Sequence, residues 1–194
     1  MNKNIQEFLN EQSQTSEIQQ VVAAEEPKHP DMISDKEAKN YTNDTVLDLL
    51  KKSLNIHWQQ TTVLSAQAVH LDRWGYKKLA TVIKEDAKQE HEHAMINLSR
   101  LEFFDADYQP LTVSPPSWKR HDMVAMINYN LASVQEASRA ERDTIVAARA
   151  VGDELTANIM IPLLQGSEDG IILYEGFLKL IEEMGLDNFL SIQA

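Results

Sequence analysis

The stretch DADYQPLTVSPPSW, residues 105–118, restricts the folds open to this chain more than any other segment. Its three prolines block a regular helix, and it is too long for a hairpin between neighbouring helices. The sequence on both sides is strongly helical. Before it, Asn43 or Asp44 caps a first predicted helix with the inward stripe Val46, Leu50, Leu54, His57, Thr61, Leu64, Ala68 and Leu71. RWGYKK breaks that helix at Gly75, and a second follows with Leu79, Ala80, Ile83, Ala87, Glu90, Ala94, Leu98 and Leu101 facing inward. After it, a third helix carries Met123, Ile127, Leu131, Val134, Ala137, Glu141 and Ile145 on its inner side. Gly152 separates this from a fourth, with the stripe Leu155, Ile159, Leu163, Gly166, Gly170, Leu173, Phe177 and Leu180. EEMGLDNFL ends the fourth helix at Gly185 and adds a short C-terminal turn of helix. A connection long enough to run the length of a bundle leaves the second and third helices parallel. The fold class is therefore all-α: a four-helix bundle with one long crossover.

At 194 residues the chain can close one domain around a sizeable core. The absence of cysteine excludes a disulfide framework and thiolate metal sites. A formal charge of −12 repels phosphate, so nucleic acid is not an expected partner. MNKNIQEFLNEQ lacks the apolar run of a signal peptide, and no segment reaches about 18 apolar residues. A soluble, cytoplasmic protein with no membrane partner is expected. Residues 1–43 are polar, and EEPKHPD within them blocks a regular helix, so they read as a flexible extension to the bundle at 44–194. IQEFL within the extension could form a short amphipathic helix that docks on a partner.

The second helix holds the densest chemistry, KEDAKQEHEHAM at residues 84–95. Glu85, Lys88 and Glu92 fall on the outer side, as a solvated face. Glu90 instead sits in the inward stripe, one turn from Ala87 and from Ala94, and His93 follows three residues later on the same side. A buried carboxylate needs a proton, a cation or a metal as partner. Glu-x-x-His on an inward face is also how carboxylate-bridged metal bundles place one oxygen and one nitrogen ligand. His57 replaces an apolar residue in the first helix's stripe, so two readings stand side by side. It is either a hydrogen-bonded core histidine beside Glu90, or the third member of a His57–Glu90–His93 set suited to one Fe or Zn.

From about Val46 to Leu190 the chain resembles bacterioferritin, the haem-containing branch of the ferritins. The resemblance rests on RWGYKKLA after the first helix, the EHEHA run, the crossover and EEMGLDNFL. It implies a ferritin-like fold and a homo-oligomeric cage, usually of twenty-four chains built from dimers, that oxidises Fe(II) for iron storage. The family's di-iron site takes a Glu from the first helix, Glu-x-x-His from the second, Glu from the third and Glu-x-x-His from the fourth. The second-helix pair is present as Glu90 and His93, and the first-helix Glu falls on His57. The third-helix Glu falls on Val134, and the fourth-helix pair on Ser167 and Gly170. One metal position keeps a ligand set, while the other loses every ligand of its own, so rapid ferroxidase activity is not expected. The methionine that ligates haem at the family's dimer interface falls on His91, beside bulky Trp58. His91 is then either a haem ligand or a partly exposed interface residue.

These features imply a ferritin-like shell subunit with a degenerate ferroxidase centre and one metal per chain, with a second, active ferritin-like chain as a conceivable partner. The alternative is a metal-free structural assembly protein that docks a partner through its N-terminal extension. A mononuclear enzyme would need a general acid or base opposite the metal, and no such residue is expected there.

Overall fold

A computed structural model describes residues 40–108 and 121–194. The described residues form five helices: α1 (Asn43–Trp74), α2 (Lys77–Phe103), α3 (Met123–Ala150), α4 (Glu154–Met184) and the short α5 (Leu186–Ile192). Most of the proline-bearing crossover lies outside the described residues, as do the N-terminal extension and its IQEFL segment.

The helix boundaries follow local chemistry. Thr42, rather than Asn43 or Asp44, caps α1. Its side chain accepts from the Thr45 N–H at 3.2 Å, and the Thr45 side chain accepts in return from the Thr42 N–H at 3.3 Å. This reciprocal box satisfies two backbone donors that a helix start leaves unpaired. Asp122 and Asp153 cap α3 and α4 in the simpler one-way manner. Gly75 ends α1 at φ 93°, a left-handed conformation that glycine adopts without steric cost. No side chain caps α2. Instead the carbonyl of Gln193 accepts from the Lys78 N–H at 3.0 Å, so the C-terminal segment closes the start of α2 while Phe189 is fully buried beneath it.

Side-chain pairs give the directions of the long helices. His57 meets Glu141 and Gln67 meets Asn130, so α1 and α3 run antiparallel. Arg100 at the end of α2 donates to Thr156 and Asp153 at the start of α4, so that pair is antiparallel too. With the α1–α2 turn tight at Gly75, α2 and α3 are therefore parallel, as the long crossover requires. Around the ring α1 packs on α2 and α3, and α4 on α3 and α2, which leaves α2 and α3 on a diagonal.

The core has three tiers. One apolar cluster holds Leu64, Leu71, Leu79, Ile83, Ile127 and Tyr174 at the Gly75 end. The other holds Leu50, Leu54, Ala94, Leu101, Met160 and Leu163 at the opposite end. Each fully buried Leu or Ile contributes roughly 1.5–3 kcal/mol relative to exposure. Between the two clusters every long helix also buries polar side chains: His57 and Gln60 on α1, Glu90 and His93 on α2, Ser138 and Glu141 on α3, Ser167 on α4. The ends hold the bundle together, and the middle presents its chemistry.

The stripe expected for α4 is corrected. Leu155 and Leu180 are exposed, and Thr156, Ala157, Met160, Ser167 and Tyr174 are buried instead. This helix is apolar on more than one face, with Ile161 and Ile172 also exposed, so periodicity alone does not set its rotation. Thr61 and Leu98 likewise lie at the stripe margins, half-buried, while Gln60, Gln67 and Asn97 point inward.

Candidate metal centre

His57 is fully buried at the middle of α1, and both its ring nitrogens face carboxylates. Nδ1 lies 2.5 Å from Glu90 Oε2 on α2, and Nε2 lies 3.1 Å from Glu141 Oε1 on α3. The first contact is a short hydrogen bond. The second has the distance of one, but Nε2 has no well-aligned acceptor, so it acts as a charge contact. Ser167 on α4 completes the tier by donating from Oγ to the same Glu141 oxygen at 3.1 Å. All four long helices thus meet at one level through His57, Glu90, Glu141 and Ser167. Burial, the largest single influence, pushes the His57 pKa down, but the two carboxylates together outweigh it and raise it to about 9.

His93 stands beside this chain, its ring edge-on to His57 with centroids 5.1 Å apart. Burial first, and then the neighbouring His57 charge, hold His93 below its ordinary pKa despite nearby carboxylates. A neutral imidazole is the form that ligates metals. Its Nδ1 is buried with no hydrogen-bond partner, a costly state unless something binds there. Gly166 on α4 makes room for the ring, since a Cβ there would lie 2.7 Å from His93 Cε1 and 2.6 Å from Gln89 Nε2.

The expected set therefore comes together. One ligand atom from each of His57, Glu90 and His93 lies within 4.8 Å of the other two, all three residues being buried. Two imidazoles and a carboxylate suit Fe(II) or Zn(II). Donors that share a cation sit farther apart than 2.5 Å, so binding there requires the His57–Glu90 pair to open and release its proton. His93 Nδ1, buried without a hydrogen bond, is the orphaned donor atom that a cation bound by this residue could engage.

The positions that the resemblance assigns to a second metal carry Val134, Ser167 and Gly170. Val134 is buried, and its Cγ1 lies 3.3 Å from where a Cβ on Gly170 would stand. A valine packed into the notch left by a glycine provides no donor atom. Ser167, the remaining member, is already engaged with Glu141.

Further along the bundle, Tyr174 on α4 donates to Asp86 on α2, and Gln67 on α1 exchanges two amide hydrogen bonds with Asn130 on α3 at 2.8 and 2.7 Å. Burial pushes the Asp86 carboxyl up to about 6, although the Tyr174 hydroxyl opposes it. His91 is exposed on the outer face, with the Trp58 ring edge-on at 5.3 Å. Glu85, Lys88 and Glu92 are exposed as well, as the wheel of α2 requires.

Glu141 is the buried ionisable residue beside the set that sequence reasoning did not single out; it lies at the far ring nitrogen of His57. It is fully buried, across the His57 ring from Glu90. The signal was available: Glu141 interrupts the apolar stripe of its helix between Ala137 and Ile145, just as Glu90 does between Ala87 and Ala94.

The family model for the ferritin-like domain matches residues 47–184, from the first turns of α1 to the last residue of α4. That match spans all four long helices and every residue of the buried polar tier. The chain belongs to the ferritin-like family.

Proposed function

We propose that this chain is a bacterioferritin-like subunit of a homo-oligomeric, iron-handling shell whose di-iron centre has contracted to one metal position. His57, Glu90 and His93 hold that metal, Fe or Zn. The observation that carries the reading is the asymmetry of the centre. On one side three buried donors converge, with His93 Nδ1 unpartnered. On the other, Val134 packs against Gly170. A cation bound there would supply Lewis acidity or a resting place for cargo iron. The chain's own part is to keep His93 neutral, to give up the His57 Nδ1 proton and to exclude water. Rapid two-metal oxidation of Fe(II) is not expected from this donor set.

Oligomer formation is supported by apolar side chains left on the outside. Val69, Phe103, Ile172 and Leu155 are 73%, 70%, 69% and 59% exposed, and exposed apolar surface of this kind marks interaction sites. A dimer building block, a cage, or co-assembly with an active ferritin-like chain would each cover it. Trp58 against His91 supports a surface residue there rather than a haem ligand.

A second reading is favoured by one observation: His57 lies between two carboxylates, so a protonated imidazole already supplies the centre's cation. The chain would then be a metal-free assembly subunit, with residues 1–43 as its docking segment. Element-resolved metal content of the purified protein, compared with Glu90→Ala, separates the two. About one Fe or Zn per chain, lost in the variant, is the expected result. No metal in either protein after loading with Fe(II) and Zn(II) selects the second reading. Deleting residues 1–43 then tests the docking segment through assembly state.

A further inference from the structure

We infer that Glu141, with Ser167 behind it, is the positioning residue that makes His57 bind metal through Nδ1. This rests on the one-metal reading above and adds a residue outside the ligand pattern that the resemblance implies. A metal-binding histidine commonly donates its other ring N–H to a carboxylate, which fixes the tautomer and the ring plane and raises the basicity of the ligating nitrogen. Here the parts are in place before any metal arrives. His57 Nδ1 faces Glu90, a ligand, and Nε2 faces Glu141 Oε1 at 3.1 Å. Glu141 is fully buried, its Oε1 anchored by the Ser167 hydroxyl at 3.1 Å, and its Oε2 is buried without a partner. A carboxylate in that condition is costly to keep unless it serves a charge or a donor close by.

The arrangement also accounts for the serine. Ser167 stands where the resemblance places a metal-binding Glu, and it is no ligand to the His57 side of the centre. Its hydroxyl instead ties Glu141 on α3 to α4, so the acceptor for His57 is held from two helices. The centre thus combines three ligands from α1 and α2 with a support from α3 and α4.

The test uses the full-length protein labelled with 15N-histidine and loaded with Zn(II). Long-range proton–nitrogen spectra report which His57 nitrogen carries the proton, and competition with a chromophoric chelator reports affinity. The wild type is expected to show a metal-shifted Nδ1 and a protonated Nε2. Glu141→Gln is expected to keep about one Zn(II) per chain, bind it roughly 10–100-fold more weakly and lose the single tautomer. Ser167→Ala, a smaller change that guards against misfolding of the first variant, is expected to shift both readouts the same way by less. Ligation through Nε2 in the wild type, or unchanged affinity and tautomer in both variants, overturns the role of Glu141 while leaving the metal site standing. A wild type that takes up no Zn(II) overturns the one-metal reading and this inference with it.

Discussion

Two polar assemblies cross the bundle, and they differ in what they leave unpaired. Gln67, Asn130, Tyr174 and Asp86 come from all four long helices, and none has a buried side-chain atom without a partner. His57, Glu90, His93, Glu141 and Ser167 also come from all four. Yet His57 Nε2, His93 Nδ1 and Glu141 Oε2 are buried with no well-aligned hydrogen bond. A satisfied network fixes helix register and asks for nothing more. An unsatisfied one inside a well-packed core signals a missing participant. The comparison separates a structural clasp from a candidate site, although both read in the sequence as polar residues within apolar stripes.

The largest effect should come from Glu90→Ala, which removes the short bond to His57 and strands a buried charge. Breaking such a pair typically costs about 3–5 kcal/mol. Urea denaturation of the chelator-treated protein should show a loss of that order, and a loss under about 1 kcal/mol would mean that the pair carries little of the centre's stability.

Next in size is the pH dependence of the metal-free protein. His57 binds its proton more tightly when folded, with a pKa of about 9 against 6.5. The stability this lends is complete below pH 6.5 and is lost as pH rises through about 9, on the order of 3 kcal/mol in all. The urea midpoint should fall between pH 6.5 and 9.5, and the fall should vanish in His57→Gln. Asp86 acts in a different window. Its carboxyl, raised from 3.8 to about 6, favours the fold below pH 3.8 and loses that contribution as pH rises through about 6. The two assemblies therefore titrate apart, and a single transition covering both windows would contradict their separation.

Tyr174→Phe tests the satisfied assembly. It leaves the Asp86 carboxyl without its hydroxyl donor, at a cost of about 1–3 kcal/mol. Metal content should not change, and a loss of metal in this variant would show that the two assemblies are coupled.

The smallest predicted effect separates two glycines of α4. Gly176 has nothing within 4 Å of an added Cβ, so Gly176→Ala should stabilise by up to about 1 kcal/mol through helix propensity. Gly166→Ala has the same propensity gain but forces His93 and Gln89 aside, at about 1–3 kcal/mol. Thermal unfolding should move in opposite directions for the two variants, and only Gly166→Ala should weaken metal binding. Equal shifts would mean that His93 has more freedom than its packing indicates.

The amino-acid sequence by itself determined the number of long helices, the breaks at Gly75, Gly152 and Gly185, and the inward placement of His57, Glu90 and His93. Each follows from information local to one segment: apolar period, turn residues, and a charge within an apolar stripe. Tertiary structure decided the rest. Leu155 and Leu180 match the period of α4 but face outward, because several faces of that helix are apolar and only packing against α2 and α3 selects one. Gln67 and Asn130 are polar residues whose burial is worthwhile only because each satisfies the other across 63 residues of chain. Glu141 lay visible in its stripe, yet its role depends on His57, which comes from another helix. Periodicity tells which way a side chain points, but only the assembled bundle brings its partner within hydrogen-bond reach.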